Sequence, residues 1–340
     1  MPGESPVAKF VRARWPLLIA LWVAISSNVA IISLFWPDGL AADYSVFWRV
    51  AHSTQPYAPN ISPFAYPPTA LVWFWPLRWI AEWPGFLAWT AISVALFALA
   101  SLRLYGGGAT ALAIISPAVP LGLMPGQTSM IASALLFAAF ASDCRICRGV
   151  LLGALLTFKP QLAIAAPLFL LVRREWVTFA AMAAMAALIV LLTTALFGTS
   201  IWLDWQTALP LFQELVLRRG LSVSAVSPAA FAGTLGLPRL LLLMVGCAAA
   251  LVMAIMSRRL DNRELAAMIA GASLLAAPYG LRYDLVAIAP AMAAVILTDR
   301  SRKALLACIA YSATFGPFSI AAAASVVGWK GRTSGSVKAE

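Results

Sequence analysis

Residues 149–172 read GVLLGALLTFKPQLAIAAPLFLLV, an apolar run broken at its middle by Lys159 and Pro160. A bilayer span needs about 20 mostly apolar residues, and this run is long enough. Proline removes a helical hydrogen bond and bends the chain. An ammonium at that depth is expensive and defaults to a functional reading. We read the run as a hairpin of two short helices. Its tip points to the outer side, and it returns Arg173 and Arg174 to the side of Arg145 and Arg148.

The rest of the chain is of the same kind. It has 340 residues, 62% hydrophobic and only 11% charged. A soluble domain carries about 25% charged residues. Apolar segments lie at 15–36, 85–103, 109–123, 127–142, 176–198, 238–257, 265–277, 285–298 and 304–328, with a shorter one at 67–82. They are continuous rather than alternating, which favours helices over a barrel. The expectation is an all-α polytopic membrane protein, a bundle of about ten transmembrane helices. Several segments are too short for a simple span, so short and re-entrant helices around a cavity are expected.

The formal charge is +11, from 24 Lys+Arg against 13 Asp+Glu. These residues cluster between apolar runs, as topology signals do. No nucleic-acid motif is visible, and no nucleic-acid partner is expected. Lys9, Arg12 and Arg14 place residues 1–14 in the cytoplasm. The run from Trp15 exceeds the apolar core of a secretory signal and reads as an uncleaved anchor, although Leu40-Ala41-Ala42 faintly resembles a cleavage site. The transmembrane domain then covers 15–328, with outer loops at 37–68 and 199–237. Residues 67–82 lie at the outer surface or dip into it. The Gly/Ser/Lys-rich stretch 329–340 reads as a flexible tail. Cys144 and Cys147 form a lone C-x-x-C, and zinc takes about four ligands. No metal site is expected.

In this layout the uncommon polar residues converge at the outer end. They are Asp43, Tyr66, Gln127, Lys159, Gln161, Asp204 and the stretch Pro278–Asp284. Plainer readings compete: Lys159 snorkelling to headgroups, Arg282 and Asp284 pairing with one another, and Asp43 as a solvated loop residue. His52 reads as interfacial. The aromatics from Tyr44 to Trp83 read as an interface belt, or as a groove for a sugar or a prenyl chain.

The ordered motifs are Asp43-Tyr44-Ser45-Val46-Phe47-Trp48, Phe64-Ala65-Tyr66-Pro67-Pro68-Thr69, Pro76-Leu77, Gly126-Gln127, Phe158-Lys159-Pro160-Gln161, Ala277-Pro278-Tyr279 and Tyr283-Asp284-Leu285. Over residues 38–298 this set resembles glycosyltransferase family 87, mannosyltransferase-like membrane enzymes of the GT-C class. The resemblance implies a polyprenyl-phosphate-linked sugar donor, usually mannose, and no separate cofactor. It implies an acceptor hydroxyl on a glycolipid or glycan, and chemistry on the non-cytoplasmic face of a plasma membrane (a bacterial inner membrane, in cell-envelope assembly). It makes Asp43 the base, with Asp38 a weaker candidate.

Such a transfer, proceeding with inversion, needs a carboxylate to take the acceptor proton and cations to meet charge on the leaving phosphate. Lys159 and Arg282 are the expected cations. Gln127, Gln161, Tyr279 and Tyr283 would bond sugar hydroxyls, and Tyr66 and Trp48 would stack on sugar or guide the chain. Tyr44 and Asp284 complete the expected contact set. Two alternatives stay open: a transporter or lipid flippase, which broken helices and buried charge also fit, and a non-catalytic assembly partner.

Overall fold

Backbone amides in hydrocarbon must be satisfied within the chain, and helices do this here. The computed structural model describes residues 6–36, 38–61, 64–218, 225–299, 301–312 and 317–333. Apart from one bridge between Ala225 and Leu281, the regular structure among them is helical. In the first half come α1 (Pro6–Phe35), α2 (Ala42–His52), α3 (Leu71–Phe74), α4 (Glu82–Tyr105), α5 (Gly107–Ile114), α6 (Ala118–Leu123), α7 (Ser129–Ala141), α8 (Arg145–Phe158) and α9 (Ala166–Val172). The second half holds α10 (Trp176–Phe197), α11 (Ser200–Arg218), α12 (Pro228–Leu235), α13 (Arg239–Met256), α14 (Asn262–Ala276), α15 (Ala289–Thr298), α16 (Arg302–Tyr311) and α17 (Pro317–Thr333).

Four described stretches are long and apolar enough to cross a membrane alone: Arg14–Leu34, Glu82–Tyr105, Trp176–Phe197 and Arg239–Arg259. Their surfaces carry exposed Leu188, Leu191 and Leu196 on α10, and Leu240, Leu241 and Met244 on α13. Apolar surface of that extent belongs against lipid. The other apolar segments resolve into shorter helices, so among the described residues four of the expected ten or so spans are long single helices. Breakers account for this. The 109–123 segment divides at Ile115–Pro117 into α5 and α6, and 304–328 divides into α16 and α17. The 67–82 segment is a chain of single turns, with 3-10 turns at Pro68–Ala70 and Trp75–Trp79 flanking α3. Short helices are tolerated because protein surrounds them. In α14 every residue from Leu265 to Leu275 is buried, and its many Ala, Gly and Ser side chains allow close approach.

The stretch 199–237, expected as an outer loop, carries two helices, α11 and α12; 219–224 lies outside the described residues. A search for continuous apolar runs overlooks α11, whose Asp204, Gln206 and Glu214 alternate with apolar residues at helical spacing. Helix α17 extends to Thr333, into the stretch expected as a tail. Residues 334–340, like 1–5, lie outside the described residues.

The broken run 149–172 leaves and re-enters one end of the bundle. Arg148 at the start of α8 and Arg173 just past α9 both ion-pair with Glu175, at 3.2 and 2.9 Å. Arg173 also donates to the Ser257 carbonyl at 2.6 Å, below α13, and the Tyr105 hydroxyl at the foot of α4 donates to the Arg263 carbonyl at 2.9 Å. This end gathers Arg103, Arg145, Arg148, Arg173, Arg174, Arg258, Arg259 and Arg263.

From there α10 climbs beside α8 in the same direction. Gly149 lies against Thr178 and Ala181, and Gly153 against Met182 and Met185. A Cβ at either glycine would strike the α10 backbone, the small-xxx-small contact of membrane helices. Gly153→Leu is expected to cost about 1–3 kcal/mol by overpacking. Val150→Leu, on the exposed side of α8, should be neutral. Thermal unfolding in detergent distinguishes them, and equal midpoints would refute the close contact.

Candidate active site

Pro160 disfavours helical geometry at the residue before it. Lys159 accordingly takes φ −142°, ψ 77°, and α8 stops at Phe158. The loosened backbone finds partners. The Thr69 hydroxyl donates to the Thr157 carbonyl at 2.7 Å, and the Ala165 amide donates to Ser273 Oγ at 3.1 Å. Lys159 is thereby delivered to the start of α7 and to the 281–284 turn.

There it is enclosed, with no exposed surface. Its Nζ lies 2.6 Å from Asp284 Oδ1 and donates to Ser129 Oγ at 2.6 Å. Ser129 Oγ donates its own proton to Asp284 Oδ1 at 2.8 Å. The Leu281 amide donates to Asp284 Oδ2 at 3.2 Å, and the Tyr283 ring lies 4.9 Å from the ammonium. The sequence reading gave Lys159 to a donor phosphate and offered Arg282 as the partner of Asp284. Here Lys159 is the ion pair of Asp284, and neither side chain has surface left for a ligand. Arg282 is half-buried in the same turn.

Asp43 is positioned by a second set of bonds. Ala41 adopts a left-handed conformation, φ 56°, and starts α2. The leading amides of α2 lack partners within the helix. The 124–125 turn supplies them: the Ala41 amide donates to the Met124 carbonyl at 2.8 Å, and those of Asp43 and Tyr44 donate to the Pro125 carbonyl at 2.9 Å. Gly126 follows at φ +81°, where a Cβ would collide with Tyr44, so only glycine suits the position.

The half-buried Asp43 then meets Gln127, whose Nε2 donates to Asp43 Oδ2 at 2.6 Å. The Tyr66 hydroxyl donates to Gln127 Oε1 at 3.2 Å and lies 2.7 Å from Thr128 Oγ1. A consistent proton order runs from Thr128 to Tyr66 to Gln127 to Asp43, and it fixes the orientation of the glutamine amide. Burial pushes the Tyr66 phenol up despite its bond to Thr128, and the carboxylates of Asp284 and Asp43 push it further. It therefore stays protonated and remains a donor.

Thr128 and Ser129 are adjacent, so Gly126–Ser129 ties the Asp43 set to the Lys159 set. Neither hydroxyl residue stands out in the sequence as a site residue. Their signal was faint: two hydroxyls between Gly126-Gln127 and an apolar helix, where Ser and Thr also serve as ordinary caps. Tyr279 stands edge-on to Phe212 of α11, with ring centroids 5.2 Å apart. Trp205 of α11 donates to the Ala65 carbonyl at 3.2 Å. That helix thus leans across the polar end from Ala65 to Tyr279.

Other expected residues fall elsewhere. Tyr44 is fully buried, packed on Phe86 and Trp89. Trp48 donates to the Ile80 carbonyl at 2.8 Å, and its ring lies 4.1 Å from that of exposed His52. Gln161 is half-buried in the 3-10 turn after Lys159, and Asp38 is exposed. The aromatic stretch divides. Phe47, Phe64, Tyr66, Phe74 and Phe158 pack into one cluster beneath the site, while Trp79 and Trp83 are exposed. Among the described residues no three His, Cys, Asp or Glu side chains group as metal ligands.

The sequence model of glycosyltransferase family 87 matches residues 64–278. The chain belongs to glycosyltransferase family 87. No curated protein and no solved structure matches it. The family-87 region holds Tyr66, Gln127, Lys159 and Gln161, whereas Asp43 precedes it and Tyr279–Asp284 follows it. Membership identifies a glycosyltransferase.

Removing one partner of a buried ion pair costs about 3–5 kcal/mol, whereas replacing both with apolar groups is often neutral. Lys159→Met alone should therefore destabilise this family-87 enzyme by that amount. Adding Asp284→Leu should restore most of the loss, as read by thermal unfolding in detergent. If the double variant is no more stable than the single one, the two groups do not act as a pair.

Proposed function

We propose that the chain moves a hexose, mannose in the family's usual pattern, from a polyprenyl-phosphate carrier to a glycolipid or glycan hydroxyl. The supporting observation is the carboxylate of Asp43, held by Gln127 at 2.6 Å yet only half-buried. It stands at the end of the bundle opposite the arginine-rich one. The positive-inside rule puts the arginines in the cytoplasm and the site on the outer face of the plasma membrane.

The acceptor oxygen attacks the anomeric carbon from the side opposite the phosphate, and Asp43 takes its proton as the bond forms. The bond from the anomeric carbon to the phosphate oxygen breaks with inversion, and polyprenyl phosphate departs. In this scheme Arg282 is the cation facing that phosphate. Lys159 and Asp284 act from beneath by fixing the 281–284 turn. Tyr279, Tyr283 and Gln161 border the same end and are assigned to sugar hydroxyls. No cofactor takes part.

An apolar groove of about 410 Å³ supports a lipid-borne donor. It is lined by residues that include Asn28, Ile32, Trp36, Ile115 and Met124. Met124 is also the residue whose carbonyl accepts the Ala41 amide, two residues before Asp43. An isoprenoid chain lying there would bring its phosphate to the polar end.

Asp43→Asn keeps the size and the contact with Gln127 but removes the base. Turnover of a polyprenyl-phosphate sugar should fall about 10²–10⁴-fold, with the unfolding temperature nearly unchanged. Near-normal turnover by the variant would remove Asp43 from the mechanism.

A further inference from the structure

Arg174 occupies a backbone position that favours glycine. It follows α9 in the left-handed region, at φ 58°. The Arg174 amide donates to the Leu171 carbonyl at 3.0 Å, and the Glu175 amide donates to the Leu170 carbonyl at 2.9 Å. This is the Schellman helix end, whose left-handed residue is usually glycine. The chain places a long cation there instead, against its local conformational preference.

Beside it lies a cavity of about 310 Å³ lined by Val172, Arg173, Arg174 and Arg258. Its lining holds three guanidinium groups and no acid. Arg173 is committed to Glu175 and to the Ser257 carbonyl, and Glu175 is shared with Arg148. Arg174 and Arg258 are exposed, and neither makes a side-chain hydrogen bond or ion pair among the described residues. The carbonyls of Phe169, Leu170 and Leu171 all accept backbone amides, so α9 presents little unsatisfied negative charge to the cavity. Trp176, two residues on, is 59% exposed, and Leu171 and Val177 are exposed beside it. Exposed tryptophan next to apolar surface marks headgroup level.

We infer that this cavity binds the phosphate of an anionic membrane lipid between Arg174 and Arg258, with the acyl chains against Leu171, Trp176 and Val177. Planar guanidinium groups match phosphate oxygens in charge and geometry, and basic pockets between membrane helices hold such headgroups. A soluble phosphate shares that chemistry; the adjoining apolar surface favours the lipid. The bound lipid ties the α9–α10 junction to the foot of α13. The site lies at the opposite end from Asp43 and does not depend on the transfer chemistry.

The test uses the full chain in lipid nanodiscs of phosphatidylcholine with or without phosphatidylglycerol. Lipid retention is read by native mass spectrometry and stability by thermal unfolding. Arg174→Gly should weaken phosphatidylglycerol retention about fivefold, and Arg174→Gly with Arg258→Ala about thirtyfold. In phosphatidylcholine alone, Arg174→Gly should unfold at or above the wild-type temperature, because glycine suits that backbone. Three results would overturn the assignment. Wild type could show no preference for phosphatidylglycerol, or both variants could retain it like wild type. Millimolar inorganic phosphate could also stabilise wild type in phosphatidylcholine as fully as the lipid does, in an Arg174-dependent way, which would reassign the site to a soluble anion.

Discussion

A lysine ammonium and an aspartate carboxylate lie 2.6 Å apart with no exposed surface between them. Charges taken out of water cost several kcal/mol each, so the surroundings must supply what water did. Ser129 accepts from the lysine and donates to the aspartate, the Leu281 amide donates to the second carboxylate oxygen, and the Tyr283 ring lies against the cation. These partners come from the start of α7 and from the turn before α15. The pair therefore fixes where three distant parts of the chain meet. The break at Lys159–Pro160 follows from the same requirement: an unbroken α8 would not end its backbone at Lys159.

That junction in turn sets the place of Asp43. Ser129 belongs to the Lys159 set, and the two residues before it, Gln127 and Thr128, belong to the Asp43 set. Gly126 permits α2 to approach closely enough for the Pro125 carbonyl to take two of its amides. One short turn thus couples a buried structural charge pair to a half-exposed carboxylate. The division of labour is physical. Lys159 and Asp284 satisfy one another with no surface exposed, while Asp43 keeps exposed surface, which is why the proposed function gives it the role of base.

Much of this was legible in the sequence. Apolar runs announced the membrane, Pro160 announced the break, and arginine clusters announced which helix ends gather together. The run 149–172 returns to its starting end because Arg148 and Arg173 share Glu175, a hairpin readable from one proline and the basic residues at either end. What stayed hidden were partners distant in sequence. Lys159 was visibly costly, but nothing local distinguishes Asp284 as its counter-ion from a neighbour for Arg282. Tyr44, next to Asp43 in the motif, gave no sign of lying wholly in the core. Ser129 resembled any helix-starting serine. Helix α11 was missed because its apolar residues, Ile201, Trp205, Ala208 and Phe212, follow a surface helix's spacing rather than a span's continuity.

The transfer reading requires donor, acceptor and Asp43 to share one end of the bundle. A cryo-electron-microscopy structure with a non-transferable polyprenyl-phosphonate sugar and an acceptor glycolipid examines that directly. The acceptor hydroxyl should lie about 2.6–3.2 Å from the Asp43 carboxylate, with the phosphonate near Arg282 and the isoprenoid in the groove beside Asn28 and Trp36. Sugar density away from Asp43, or an isoprenoid chain entering from the arginine-rich end, would contradict it.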